Sequence, residues 1–363
     1  MRETSYEVVD PGGAPAMIRP GSRDLLRSVD AVVFDCDGTL IDVRGSYDAT
    51  ILKTVEAMVE GFSGVSLPME EVGGKMILKI RSTGGFNGDW DTTYALSLFS
   101  EAAIERSGKQ RGGSGGHVKR IFATLWELVD DFASRNRLAG DRSVDGYLRR
   151  GGLESDSLRE FRRFLGFPGN PRTSRMTGTF DQIYYGGELY RKVYGVRPAQ
   201  WYDEGLIDRE TLLIGREDLA RFKKIIGGKR MAIATGRPFV AVKHTMRRLL
   251  GYFERDASVY IGDGDIDPAV GVEMAKYRKP SGASLVRAKE VLSAKAMLYV
   301  GDSAEDRLMV DDARKRYRSI YFAGICGSSF DERAQISYFT RTDSDLLVNS
   351  VSQVPDVLEM IRK

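Results

Sequence analysis

The stretch Ala31-Val32-Val33-Phe34-Asp35-Cys36-Asp37-Gly38-Thr39-Leu40 decides how the rest of this chain is read. A short apolar run, of the length of a buried parallel strand, drives into two carboxylates one residue apart, and an Asp/Gly cluster ends it. Ligands of open parallel sheets sit beyond the carboxyl ends of the strands. Asp35 and Asp37 are therefore expected at the mouth of a site. Two carboxylates this close repel unless a cation or a shared proton relieves them. A plain turn, in which one Asp caps the following helix, would use the same residue types. What separates the two readings lies further along the chain.

Outward from the motif, residues 1–28 read as an N-terminal extension, irregular around Asp10-Pro11-Gly12-Gly13-Ala14-Pro15, with a short helix at 24–28. From Ser46 the pattern turns helical, with Ile51, Val55, Met58 and Val59 at helical spacing. Further helices are expected over 69–80, 92–106, 118–135, 156–164 and 181–194. Between them lie the Gly/Asn-rich loop 82–91 and a Gly/Ser/Lys-rich linker at 107–116. Strand and helix alternate only after Thr211. Strands are expected at 230–235, 258–261, 296–302 and 319–323, and helices at 219–226, 240–250, 282–292 and 354–362. This pattern predicts an α/β fold, a parallel sheet covered on both faces. The sheet begins with 29–43 and resumes over 212–363, with a mostly helical block, 44–211, inserted between.

Composition narrows the function. A chain of 363 residues with 42% hydrophobic and 29% charged residues is ordinary for a soluble globular protein. The formal net charge of +3 suits anionic small substrates, and there is no Lys/Arg run that would point to nucleic acid. No apolar run is long enough to cross a bilayer, and the polar N-terminus is unlike a secretory signal. Of the two cysteines, Cys36 lies inside the carboxylate motif, which argues against a disulfide and for a reducing, cytoplasmic setting. His117 and His244 are the whole histidine content, which excludes a multi-His metal centre. Nothing fixes the oligomeric state, and a homo-oligomer is compatible with the sequence.

Four strand-end motifs can be set side by side: Asp35-x-Asp37-Gly38-Thr39, Thr235-Gly236-Arg237-Pro238, Lys279-Pro280 and Gly301-Asp302-Ser303-Ala304-Glu305-Asp306. An Asp pair, a hydroxyl, a Lys and an acidic pair make a coherent phosphoryl-transfer site. A carboxylate can attack phosphorus and form an acyl phosphate, splitting one hard step into two. Charge repulsion opposes attack on a phosphate dianion, and a divalent cation on oxygen ligands together with a Lys offsets it. The leaving alcohol needs a proton and water later loses one; a second carboxylate beside the first can do both.

The four motifs, in this order, resemble the haloacid dehalogenase superfamily, whose members are mostly phosphatases on a Rossmann-like core. The resemblance covers 30–43 and 212–363. It implies Asp35 as nucleophile and Asp37 as general acid/base, with Thr235 and the Gly236 amide on the phosphoryl group and Lys279 neutralising phosphate charge. It also implies Mg2+ held by the Asp35 carboxylate, the Asp37 main-chain carbonyl and Asp302. Asp306 would be an outer ligand, through water or by orienting Lys279. Dehalogenases of this fold lack a carboxylate at the position of Asp37 and P-type ATPases carry a Lys there, so an Asp implies a phosphatase or a phosphomutase. An insertion between the first two motifs is where the helical C1-type caps of the phosphoglycolate-phosphatase-like subfamily occur. Ser46-Tyr47, Thr54-Val55-Glu56 and Gly84-Gly85-Phe86-Asn87-Gly88-Asp89-Trp90 resemble one branch of that subfamily, in which an Asn or Asp stands in place of Gly88.

The expected activity is Mg2+-dependent hydrolysis of a small phosphomonoester, phosphoglycolate-like or a sugar phosphate, through an aspartyl-phosphate on Asp35. A phosphomutase, or a non-catalytic binding protein on the same scaffold, is the alternative; the intact set Asp35, Asp37, Thr235, Lys279 and Asp302 argues against the latter. Arg44, beside the hinge, could meet a substrate anion or be a solvated charge. Asn87 and Asp89 could read substrate or serve turn chemistry. Phe86, Trp90 and Trp201 are expected in the core of the insertion. Gly262-Asp263-Gly264-Asp265-Ile266-Asp267 has Pro268 and Met274 where a calcium loop needs Gly and Glu, so it reads as an acidic loop near the site mouth.

Overall fold

The computed structural model describes residues 6–363 except 71, 84–85, 87, 109–114, 136–140, 201, 229, 267–272 and 330. Its strands, in chain order, are β1 (Glu7–Val9), β2 (Ala16–Ile18), β3 (Ala31–Phe34), β4 (Ile41–Asp42), β5 (Thr211–Leu212), β6 (Met231–Thr235), β7 (Val259–Tyr260), β8 (Met297–Gly301), β9 (Ile320–Ile325) and β10 (Leu346–Val348). Eight form one sheet in the order β1-β2-β10-β9-β8-β3-β6-β7, and β4 pairs with β5. From β10 to β7 every pairing is parallel, while β1-β2 and β2-β10 are antiparallel. The fold is α/β, a mostly parallel sheet flanked by helices.

The sheet is covered on both faces because its central strands are apolar at almost every position, Thr235 at the end of β6 being an exception. Alternation of side chains along β3 sends Val32 and Phe34 to one face, and Ala31 and Val33 to the other. On the first face they pack with Ile233, Leu298 and Val300 against Leu219, Phe222, Val354 and Leu358. Phe34 meets Phe222 and Phe253 edge-on, at centroid distances of 5.1 and 5.8 Å. On the second face Ala232, Met297 and Tyr299 pack against Leu285, Ala288, Met309, Val310 and Phe339.

Among its described residues the N-terminal extension is irregular at 10–15, as expected, but regular on either side of it. β1 and β2 extend the sheet antiparallel along β10, with Ile18 opposite Leu346, and a helix follows at Arg23–Arg27. Three-residue strands around Asp10-Pro11-Gly12-Gly13 are too short to show alternation in the sequence. β10 and the helix Glu332–Arg341 were also not anticipated.

The chain divides into two compact units, Met1–Val43 with Glu210–Lys363, and Arg44–Arg209. The second unit is helical: Tyr47–Ser63, Gly73–Arg81, Asp89–Ser107, Gly115–Arg135, Asp141–Arg150, Asp156–Leu165 and Arg175–Tyr194. Asp89–Ser107 is its central helix, buried without a break from Thr92 to Ile104. Ser155 and Ser174 cap the helices they precede, accepting from Leu158 N and Thr177 N. Phe86 is buried against Phe132, and Trp90 is half-buried. Trp201 lies outside the described residues. Among the described residues no helix is long and apolar enough to cross a membrane.

Candidate active site

Parallel register brings the carboxyl ends of β3, β6 and β8 to one edge of the sheet. Phe34 lies level with Ile233 on one side and Val300 on the other, and the Asp35 N–H donates to Val300 O at 2.9 Å. Asp35 thus stands one residue beyond Phe34, and Thr235 and Asp302 two residues beyond Ile233 and Val300, at the ends of three adjacent strands.

Lys279 reaches this edge from the segment before the helix Ala283–Val291. Its ammonium lies 2.8 Å from Asp35 Oδ1 and 2.6 Å from Asp306 Oδ1. Asp306 is fully engaged: Oδ1 also accepts from the Tyr299 hydroxyl at 2.7 Å, and Oδ2 accepts from Ser303 N at 3.0 Å and Ser303 Oγ at 2.7 Å. Ser303 and Asp306 form a capping box that starts the helix Ala304–Arg314. Burial pushes Asp306 up, but Lys279 together with the hydrogen bonds from Ser303 and Tyr299 outweighs it and holds the carboxyl below its usual range. Burial likewise disfavours the Lys279 charge, and Asp306 and Asp35 overcome it, so the ammonium is held well above its usual value. Asp35 goes the other way: burial pushes it up to about 6 against the pull of Lys279.

Asp302 is raised well above the usual carboxylate range by burial, then by Asp306 and Asp35. Gly38 has φ of +70°, and a Cβ there would overlap the Asp302 carboxylate. The side chain of Gln335 donates to the Asp302 carbonyl. Carboxylate oxygens of Asp35, Asp302 and Asp306 lie within 4.8 Å of one another. Such hard oxygen donors suit a divalent cation. Because both Asp306 oxygens are occupied, Asp35 and Asp302 are the carboxylates of this trio suited to bind it.

Asp37 is partly exposed, and its Oδ1 lies 3.3 Å from Nε of the buried Arg237. Arg237 in turn is 2.5 Å from Oε1 of Glu210, whose side chain is completely buried. Thr235 is also buried and its hydroxyl accepts the Arg237 N–H at 3.2 Å. The space a side chain would take at Gly236 is open. Gly262 packs flat on this turn, since a Cβ there would lie 2.6 Å from Pro238 N and 2.7 Å from Gly236 O. Asp263 accepts from Phe239 N at 2.7 Å, so this part of the acidic loop serves the helix Phe239–Met246. Burial, then the charges of Asp35 and Asp37, push the Cys36 thiol well above its usual range, which keeps it unreactive.

The sheet unit thus brings together Asp35, Asp37, Thr235, Gly236, Lys279, Asp302 and Asp306. Arg44 and Asn87 belong to the other unit: Arg44 is exposed, and Asn87 lies outside the described residues. Asp89 bonds Arg81 at 2.7 Å, and Arg81 also holds Asp48 at 2.8 Å, a role inside the helical unit. Sequence reasoning missed Tyr299, Ser303, Arg237, Glu210 and Thr245. The Ser-x-x-Asp spacing of a capping box was legible for Ser303. Glu210 carries no local signal, since its partners lie 27 and 35 positions away.

The chain is matched by the family model for haloacid dehalogenase-like hydrolases over residues 29–313. No curated protein sequence matches it. Among solved structures it is similar to the X-ray structure of a structural-genomics target, with 17% identity and a TM-score of 0.58 over 91% of this chain and 98% of that one. It is also similar to phosphatase Tt82 from Thermococcus thioreducens, with 22% identity and a TM-score of 0.49 over 86% and 98% of the two chains. The family match takes in the strand ends that carry Asp35, Asp37, Thr235, Lys279, Asp302 and Asp306, and the chain belongs to the haloacid dehalogenase-like hydrolases.

Proposed function

We propose that this protein is a Mg2+-dependent phosphatase acting on a small phosphomonoester, phosphoglycolate or a sugar phosphate by class, through an aspartyl-phosphate on Asp35. The observation that carries the reading is Lys279 held between Asp35 and Asp306 at 2.8 and 2.6 Å, with Asp302 and Asp37 alongside. Asp35 attacks phosphorus, forming an O–P bond as the bond to the leaving oxygen breaks. Lys279 offsets the charge that gathers on the phosphoryl oxygens. The Thr235 hydroxyl and the Gly236 amide hold that group, and the open space at Gly236 leaves room for it. Asp37 gives its proton to the leaving oxygen and then takes one from the water that releases inorganic phosphate.

The Asp35 and Asp302 carboxylates, with the Asp37 main-chain carbonyl, would hold Mg2+, which would supply positive charge against the phosphoryl oxygens. The helical unit 44–209 stands where a cap that selects substrate is inserted in this family.

The test is phosphate release from a panel of phosphomonoesters with Mg2+, wild type beside Asp35→Asn. The expected result is release by the wild type, none by Asp35→Asn with its melting temperature preserved, and silence in excess chelator until Mg2+ is returned. Turnover by Asp35→Asn at the wild-type rate, or no release from any ester, would end this reading.

A further inference from the structure

Arg237 follows the Thr235-Gly236 pair, yet its guanidinium does not point to solvent. Its side chain is 1% exposed, and that of its partner Glu210 is completely buried. Nε lies 3.3 Å from Asp37 Oδ1, and a terminal nitrogen lies 2.5 Å from Glu210 Oε1. The other Glu210 oxygen accepts from the Thr245 hydroxyl at 2.6 Å. Thr245 belongs to the helix Phe239–Met246, packed on the sheet. A chain of polar contacts therefore runs from a helix through Glu210 and Arg237 to Asp37, whose side chain is 35% exposed. Glu210 is also the residue at which the chain re-enters the sheet unit, directly before β5.

Burying a guanidinium and a carboxylate costs several kcal/mol per ion unless the pair is well made. A phosphatase could bind its substrate without this pair, since Lys279, Thr235 and Gly236 already face the phosphoryl group. What the pair adds is a fixed partner for Asp37. Glu210 balances the Arg237 charge from behind, so the guanidinium touches Asp37 through Nε without collapsing onto it. We propose that Glu210 is a positioning residue: through Arg237 it holds the Asp37 carboxyl in the orientation from which it protonates the leaving oxygen. The proposal rests on the phosphatase reading above. In the step concerned, the bond from Asp35 to phosphorus forms, the bond from phosphorus to the leaving oxygen breaks, and the Asp37 proton passes to that oxygen. In hydrolysis water gives a proton to Asp37 as its oxygen bonds to phosphorus, and the Asp35–phosphorus bond breaks to release inorganic phosphate and the free carboxylate.

The experiment compares kcat/KM for an alkyl phosphate, glycerol phosphate, with that for p-nitrophenyl phosphate, whose leaving group needs no proton. It uses the intact chain with Mg2+ and Asp37→Asn as the benchmark. Glu210→Gln keeps the shape and removes the charge. It is expected to lower kcat/KM for glycerol phosphate by about 100-fold, the scale of general acid catalysis, and for p-nitrophenyl phosphate by only about 3-fold. Thr245→Val, which frees the second Glu210 oxygen, should show the same split in weaker form, and reads the effect if Glu210→Gln does not fold. Adding Glu210→Gln to Asp37→Asn should lower kcat/KM no further. Equal losses on both esters, or further loss in the double variant, would overturn the proposal and leave Glu210 a structural or phosphate-binding role. No loss on either ester would overturn it as well. Failure of the phosphatase reading looks different: the wild type would release phosphate from neither ester, or Asp35→Asn would remain active.

Discussion

Gly38 follows the two carboxylates with φ of +70°, and the place a Cβ would take is filled by the Asp302 carboxylate. Its N–H is spent on Ile41 O at 2.9 Å, which closes the turn into β4. Two demands therefore meet at one position: a left-handed backbone, costing other residues about 1 kcal/mol, and an empty side-chain volume. Gly38→Ala would meet the first at modest cost but not the second, because Asp302 would have to leave its place beside Asp35. The expected outcome is a folded protein, its melting temperature lowered by a few degrees, with turnover down at least about 100-fold, the scale of misplacing a reacting group. The Mg2+ concentration for half-activation should rise. Phosphate release across a Mg2+ titration measures both, and wild-type turnover would mean that Asp302 does not need this position. Asp35 and Asp306 make a related point about environment. They share the Lys279 ammonium, yet burial prevails in Asp35, while in Asp306 the ammonium and the Ser303 and Tyr299 hydrogen bonds together overcome it. Under the proposed function, the carboxylate that attacks phosphorus, Asp35, is the one left with few other donors.

At the scale of elements, the β1-β2 pair is attached through Asp345, whose side chain is completely buried. It accepts from Arg19 and Arg314, both at 2.5 Å, and from Ser22 Oγ and Phe322 N, both at 2.9 Å. One carboxylate thus ties the N-terminal segment to β9 and to the helix Ala304–Arg314. Burial raises its pKa, but Arg314, Arg19 and the Phe322 N–H outweigh burial and hold it below the usual range. Asp345→Asn should cost about 3 kcal/mol, as expected when one partner of a buried ion pair is removed, read from urea unfolding at neutral pH. The sign with pH follows from linkage. A depressed folded pKa contributes stability above the unfolded value of about 4, and that contribution is lost as pH falls through the lower folded value. The gap between wild type and Asp345→Asn should therefore close in acid; a gap that stays constant down to about pH 2 would mean that packing, not charge, is the source. None of this was legible in the sequence. Strands buried on both faces, such as β3, β6 and β8, announce themselves as apolar runs, and their terminal carboxylates and hydroxyl announce the site. Three-residue edge strands do not, and neither does a partner such as Glu210, joined to Arg237 only by folding. Asp306 was legible as an acidic residue at a helix start, but not as one whose four acceptor positions are taken.

For the whole molecule, the question is whether 44–209 is an insertion into a unit complete without it. The two core clusters of the sheet draw every member from 1–43 and 210–363. The two chain crossings lie together: Ile41 pairs with Leu212 and Asp42 with Thr211, antiparallel, and Leu213 N donates to Leu40 O at 2.9 Å. The inserted unit's own ends meet as well, a Cβ on Gly45 falling 3.7 Å from the Arg209 side chain. Removing 44–209 leaves Val43 and Glu210 facing each other as the ends of a hairpin, which an added Asn-Gly pair can close. The joined sheet unit should then fold and melt cooperatively, and residues 44–209 alone should keep a helical circular dichroism spectrum. Because Asp35, Asp37, Lys279 and Asp302 stay in place, the joined unit should retain weak release from p-nitrophenyl phosphate. If the inserted unit selects substrate as proposed, the joined unit should lose the ranking among phosphomonoesters. Fluorescence melting and the ester panel decide the matter together. An unfolded joined unit would mean that the insertion supplies stability the sheet needs, and an unchanged ranking would mean that substrate choice resides in the sheet unit itself.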